Sequence, residues 1–214
     1  MRLRGIIFDL DGTLGDTIPV CIQAFQETFR HYLGHLFTAQ DIIAMFGPSE
    51  EGMLQRQLPQ TWPQALAMYL AEYTRAHATC PEPFPGLLPL LATLQGRGVH
   101  LGIVTGKGPQ SASISARVWG LNAYFDGIEA GAAEGPVKPA GVRAFLTRWA
   151  IAPSAVAYVG DAPYDIDAAK QADVIAVAAA WAGSADAAAL AARQPHRLFQ
   201  RVTDFIAWAE DMTQ

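Results

Sequence analysis

Gly5-Ile6-Ile7-Phe8-Asp9-Leu10-Asp11-Gly12-Thr13-Leu14 is the stretch that decides how this chain folds. A buried-looking apolar run ends in two acids one residue apart, then a glycine and a threonine. Read as a strand, it sends alternate side chains to the same side. Asp9 and Asp11 then leave the strand end close together while Leu10 points away. Two carboxylates crowded at the mouth of a sheet repel each other unless a cation or a shared proton relieves them. That arrangement suits a hard ion such as Mg²⁺ and a substrate bearing phosphate oxygens.

Downstream of Pro85 the pattern alternates. Val99–Val104, Ala155–Val159 and Val174–Ala178 read as buried strands, and Phe125–Ile128 as a shorter one. Helical stretches fall between them at Leu87–Arg97, Gln110–Trp119, Gly141–Trp149 and Asp165–Ala172, with prolines where helices commonly begin. Ser184 is placed to cap an Ala-rich helix through Ala192, and Thr203 another through Ala209. Such alternation predicts an α/β fold, a doubly wound Rossmann-like parallel sheet with helices on both faces.

Residues 16–85 break the rhythm. No strand follows the first for about 80 residues, far beyond an ordinary βα connection. Helical stretches fill the interval at Pro19–Leu33, Thr38–Phe46 and Gln64–His77, and Thr38 and Asp41 have the spacing of a capping box. The expected organisation is a core of residues 1–15 and 86–214 with a helical cap, residues 16–85, inserted after the first strand. Phe46-Gly47-Pro48-Ser49-Glu50 interrupts the cap helices and reads equally as a turn or as a substrate-facing loop.

Composition narrows the functional classes. Hydrophobic residues make up 51% and charged residues 16%, so most of the chain should be ordered. A net charge of −5 argues against nucleic acid or an anionic membrane as the partner. No run approaches transmembrane length, and Met1–Arg4 leads straight into the first strand. Cys21 and Cys80 make no disulfide or metal-binding framework, so the default location is cytoplasmic. His31 and His35 stand four apart on a helix, but no third zinc ligand lies near them in sequence.

Polar residues at the carboxyl ends of the strands are the candidate site, because open parallel sheets bind ligands there. Asp9 and Asp11 end the first strand, Thr105 the second, and Asp161 a later one. Lys138 opens a helix, and Asp165 lies four residues beyond Asp161. Far apart in sequence, these would converge in a doubly wound sheet. The acids could hold Mg²⁺, and Lys138 and Thr105 a phosphate. An Asp in a turn, or a lysine on a surface, is commonplace when alone. Their recurrence at successive strand ends and helix starts is what carries the functional reading.

The segments Asp9-Leu10-Asp11-Gly12-Thr13-Leu14, Ile103-Val104-Thr105-Gly106-Lys107, Lys138-Pro139, and Gly160-Asp161 with Asp165 resemble the haloacid dehalogenase superfamily, in its phosphatase branch. They occur in the expected order and span the core. The helical insertion resembles that of the phosphoglycolate phosphatase-like group. The resemblance implies that Asp9 attacks phosphorus and that Asp11 serves as general acid, then base. It implies that Thr105 bonds a phosphoryl oxygen and that Lys138 offsets the crowded negative charge. Mg²⁺ would be bound by Asp9, Asp161 and the Asp11 backbone carbonyl, with Asp165 binding it or its waters. Gly12 permits close approach of backbone to the phosphoryl group. Thr13 could help hold Asp11, while Gly106 and Lys107 are further substrate-contact candidates.

The implied activity is Mg²⁺-dependent hydrolysis of a small phosphorylated metabolite, phosphoglycolate foremost, by a monomer or homodimer. Asp11 disfavours dehalogenation, since halide leaves without a proton. A phosphosugar mutase of the β-phosphoglucomutase type keeps both acids, but such mutases tend to carry Glu-Asp where this chain has Gly160-Asp161. No lysine occurs between Asp16 and Pro85, against a Schiff-base phosphonate cleavage. A non-catalytic phosphate-binding module is the reading from another class; the intact pair of acids weighs against it. Gly106, Ala140, Ala162 and Asp173 depart from the commoner residues of the resembled pattern.

Overall fold

The computed structural model describes residues 2–214. Its strands are β1 (Gly5–Phe8), β2 (His100–Val104), β3 (Ile128–Glu129), β4 (Val156–Gly160), β5 (Ile175–Ala179) and β6 (Arg197–Phe199). They form one sheet in the order β3-β2-β1-β4-β5-β6, and every pairing is parallel. The helices are α1 (Ile18–Leu33), α2 (Ala39–Ile43), α3 (Glu50–Gln57), α4 (Trp62–Ala76), α5 (Leu87–Gly96), α6 (Pro109–Val118), α7 (Lys138–Trp149), α8 (Pro163–Gln171), α9 (Ala187–Ala192) and α10 (Val202–Met212).

The strand periodicity builds two cores. Ile6 and Phe8 of β1 pack with α5, α6 and α10 on one face, while Ile7 between them packs with α7, α8 and α9 on the other. On α5, Leu87, Leu90, Leu91 and Leu94 recur at helical spacing and all are buried against the sheet. The Rossmann-like α/β core expected from sequence is present.

Helices α1 to α4 follow β1 directly and have a separate apolar cluster, in which Phe25, Phe29, Leu54, Tyr69 and Tyr73 are buried. Ile114 of α6 joins that cluster from the sheet side. The Thr38–Asp41 capping box forms, although α2 ends at Ile43 rather than Phe46. No helix among the described residues is long and apolar enough to cross a membrane.

Several elements differ from the sequence expectations. Helix α3 was not expected: its sequence, Glu50-Glu51-Gly52-Met53-Leu54-Gln55-Arg56-Gln57, is polar and holds a glycine. That glycine lies where any Cβ would meet backbone atoms of Ala133, so it serves packing against the sheet side. Strand β6 was also not expected; three residues at a sheet edge carry little periodic signal. Asp186, not Ser184, caps α9, accepting from the amides of Ala188 and Ala189 at 3.0 Å each. Helix α10 begins at Val202, which places Thr203 inside it. Asp173 adopts a left-handed φ of 57°, a conformation Asp tolerates better than most residues.

Candidate active site

Strand register assembles the site. Phe8 lies level with Ile103 of β2 and Val159 of β4, so the residues just past these strands reach one edge. Asp9, Thr105 and Asp161 all emerge there, at the crevice where strand order reverses. Lys138, at the first turn of α7, reaches the same edge. Its ammonium donates to Asp9 Oδ2 at 2.7 Å and to Asp165 Oδ1 at 2.6 Å.

Asp9, Asp161 and Asp165 each offer an oxygen within 4.8 Å of the others. Asp165 is buried, and its carboxylate also accepts from the Tyr158 hydroxyl at 2.9 Å and the Ala162 amide at 3.0 Å. Burial raises the Asp9 carboxyl to about 7, against the pull of Lys138, with Asp165 and Asp11 adding to the rise. Burial also lifts Asp161 well above the usual carboxylate range, helped by Asp9 and Asp165. Lys138 is raised by Asp165 and Asp9 although burial opposes its charge. One ammonium therefore leaves this crowd under-neutralised, and the donor set is that of a hard divalent cation held by carboxylate oxygens.

Gly12 shapes the turn that makes the crowding possible. Its φ is 73°, and an added Cβ would stand 2.6 Å from Asp161 Cγ. Thr13 is fully buried and donates to Asp161 Oδ1 at 3.3 Å. Thr13 was expected to steady Asp11; in the structure that partner is Thr17, whose hydroxyl donates to Asp11 Oδ1. Lys107 Nζ lies 3.3 Å from the same oxygen, and the Cys21 thiol donates to it at 3.8 Å. All three contacts fall on Oδ1, and none falls on Oδ2.

Lys107 is not a solvated lysine. It is buried, 3.4 Å from Glu50 Oε1, 3.0 Å from Cys21 Sγ, and 4.3 Å above the Tyr73 ring centroid. Burial opposes its charge, but Asp11 and the other neighbours hold it protonated well above the usual lysine range. Burial pushes the Cys21 thiol up to about 12, so it stays neutral. Glu50 has come in from α3 and is buried too. It accepts from the Gly108 amide and from the Ser111 hydroxyl, the latter at 2.6 Å.

These groups surround a cavity of about 280 Å³. Asp9, Asp11, Thr105, Gly106, Lys107, Lys138 and Asp161 line its sheet side; Ile18, Phe25, Phe46, Pro48, Met53 and Tyr69 line its helical side. Gly47, Pro48 and Glu50 also line it, so the interruption after Phe46 faces the cavity. Gly12 and Thr13 act from behind Asp161, and Asp165 lies deeper still. Sequence reasoning missed Thr17, Tyr158 and Tyr164, the last of which also lines the cavity, and reached Glu50 only as the end of that interruption. Thr17 carried a weak signal as a helix-start residue just before Pro19, and Glu50 none beyond its place at the end of the Phe46–Glu50 stretch.

This geometry coincides with a known family. Residues 6–179 match the family described as haloacid dehalogenase-like hydrolase, and the chain belongs to it. Among its relatives, pyrophosphatase PpaX of Bacillus velezensis is 28% identical over 207 residues, covering 96% of this chain and 95% of that protein. A phosphoglycolate phosphatase of Synechococcus elongatus is 30% identical over 209 residues, covering 95% and 96%. Among solved structures, the haloacid dehalogenase-like hydrolase SP0104 of Streptococcus pneumoniae superposes with a TM-score of 0.77 at 26% identity, covering 96% of this chain and 98% of that one.

Proposed function

We propose that this hydrolase removes phosphate from a small organic phosphomonoester through an aspartyl-phosphate intermediate, with residues 16–85 acting as a cap over a core of 1–15 and 86–214. The observation that carries the reading is the pairing of a nucleophile and an acid on one strand end. Asp9 is held by Lys138 and by the Leu10 amide at 2.7 Å, while Asp11 stands beside it with Oδ2 free. A binding-only module has no use for that pair.

An oxygen of Asp9 attacks phosphorus as the ester oxygen departs, and Asp11 Oδ2 gives that oxygen its proton. Water then attacks the phosphorus of the aspartyl-phosphate and passes its proton back to Asp11. Phosphate is released and Asp9 regenerated. Lys138 stays charged throughout and screens the approach of a carboxylate to a phosphate dianion. Thr105 stands ready to donate to a phosphoryl oxygen. Asp9, Asp161 and the Asp11 backbone carbonyl would hold Mg²⁺, with Asp165 steadying the set from behind. When bound, the ion supplies positive charge against the phosphoryl oxygens. The apolar helical side excludes water while the acyl-phosphate bond forms.

The test is inorganic phosphate release from an aryl phosphate with Mg²⁺. Wild-type protein should turn over; Asp9→Asn should not, and EDTA should silence the wild type. Sustained release by Asp9→Asn, verified by mass spectrometry, would overturn the assignment of the nucleophile. Conversion of a hexose phosphate without phosphate release would favour the mutase reading. Phosphoglycolate and pyrophosphate, for which relatives are named, belong in the same screen.

A further inference from the structure

Resting on the phosphatase reading, we infer that the leaving group is uncharged and largely apolar, an aliphatic or aromatic alcohol, and that Glu50 helps to reject anionic alternatives. The cavity's charges make the case. Around it stand Asp9, Asp11, Glu50 and Asp161 against only Lys107 and Lys138 among the described residues. Both lysines are engaged: Lys138 bridges Asp9 and Asp165, and Lys107 lies between Asp11 and Glu50. The phosphoryl group itself must draw on Lys138 and on whatever cation the acids hold. Nothing positive is then left for a second anion.

The helical side, where a leaving group must lie, offers no cation of its own. None of the arginines or histidines between residues 16 and 85 lines the cavity. Arg30 and Arg75 are paired with Glu27 and Glu72 on exposed surfaces, and His77 is buried against Ser115 and Trp119. The wall is instead made by Ile18, Phe25, Phe46, Pro48, Met53 and Tyr69. Phe25 and Tyr69 pack with ring centroids 4.4 Å apart, a firm apolar face. The charged group on that side is Glu50, an acid. A carboxylate or second phosphate placed there would be desolvated against apolar carbon and repelled by Glu50, with no compensating partner. Selectivity here comes from what the wall refuses as much as from what it grips.

A matched pair of esters isolates the charge: phenyl phosphate and 4-carboxyphenyl phosphate, with phosphoglycolate and pyrophosphate as anionic references. With Mg²⁺, wild-type kcat/KM should favour phenyl phosphate over its carboxylated twin by about tenfold or more, the scale of one unfavourable charge contact of this kind. Glu50→Gln should narrow that ratio by lifting the carboxylated member. Equal values, or a preference for 4-carboxyphenyl phosphate, phosphoglycolate or pyrophosphate, would overturn the inference. If no ester is hydrolysed, the phosphatase reading itself fails. Calorimetric titration of the same pair into Asp9→Asn protein with Mg²⁺ then decides: tighter binding of phenyl phosphate supports the neutral-group inference, and tighter binding of the carboxylated ester overturns it.

Discussion

Replacing Lys138 by methionine keeps most of the side chain's length and apolar contact but removes its charge. The Lys138 side chain is only 10% exposed, and its ammonium sits 2.7 Å from Asp9 and 2.6 Å from Asp165, so two buried carboxylates lose their counter-charge together. Breaking a buried pair from one side costs about 3–5 kcal/mol. The size of the loss should depend on pH. In metal-free wild type, Asp9 titrates near 7 in the fold against the ordinary 3.8, because burial outweighs the pull of Lys138. The folded state thus keeps a proton that the unfolded chain releases. Its stability falls as pH rises between those two values and levels off above the upper one. Without Lys138 the carboxyl climbs further, so the decline continues to higher pH. Near pH 5.5 Asp9 is mostly neutral in both proteins, and only the Asp165 pairing is missed. The expected loss is about 3–5 kcal/mol at pH 8 and about 1.4 kcal/mol less at pH 5.5, because wild-type Asp9 ionises near 7 and one pH unit is worth about 1.4 kcal/mol. Urea unfolding followed by tryptophan fluorescence, with EDTA present throughout, measures both. Equal losses at the two pH values, or a loss under about 1 kcal/mol at pH 8, would refute the view that Lys138 neutralises Asp9.

Two further substitutions probe the acid and the metal cradle. Thr17→Val removes the hydroxyl that orients Asp11 and should lower kcat for phenyl phosphate by about 10- to 100-fold. The deficit should shrink for 4-nitrophenyl phosphate, whose leaving group needs little protonation; steady-state kinetics showing equal deficits would argue that Thr17 acts only on folding. Gly12→Ala forces a side chain onto a φ of 73° and against the Asp161 carboxyl. It should cost about 1–2 kcal/mol in urea unfolding from the backbone alone. A Mg²⁺ titration of activity should show a requirement raised by about tenfold, and an unchanged requirement would remove Asp161 from the metal set.

The sheet and its charges were legible because they rest on short-range rules. Apolar runs ending in Asp9, Thr105 and Asp161 mark strand ends, and parallel topology then brings those ends together whatever lies between them. Lys138 was readable from its place before Pro139 at a helix start. What escaped notice rests on tertiary placement. Glu50 begins a polar helix and looks like a solvent-facing acid, yet it is buried because Gly108, Ser111 and Lys107 wait for it on the other side of the cavity. Lys107 itself was legible only as a substrate-contact candidate, since no local pattern announces an acid arriving from 57 residues away. Thr13 and Thr17 exchanged expected partners for a similar reason. The turn at Gly12 aims Thr13 at Asp161, and the start of α1 brings Thr17 back onto Asp11.

The contacts that hold the helical insertion against the sheet are also the ones that occupy the cavity's spare cation. Glu50 satisfies the Gly108 amide, the Ser111 hydroxyl and the Lys107 ammonium at once. Separating the two sides would return three polar groups and a carboxylate to water, so nothing is left unpaired in either arrangement and the balance between them can be fine. While the sides are together, Lys107 is divided between Glu50 and Asp11 and has little to offer a ligand. With the two sides together, the contacts that join them also limit what Lys107 can offer a leaving group. A relative that recognises an anionic leaving group through this same loop would need another cation on the helical side, or would have to give up an acid at position 50 and free Lys107 for the ligand. The residue at that position, rather than any of the strand-end acids, is where members of the family sharing this chemistry should diverge in substrate.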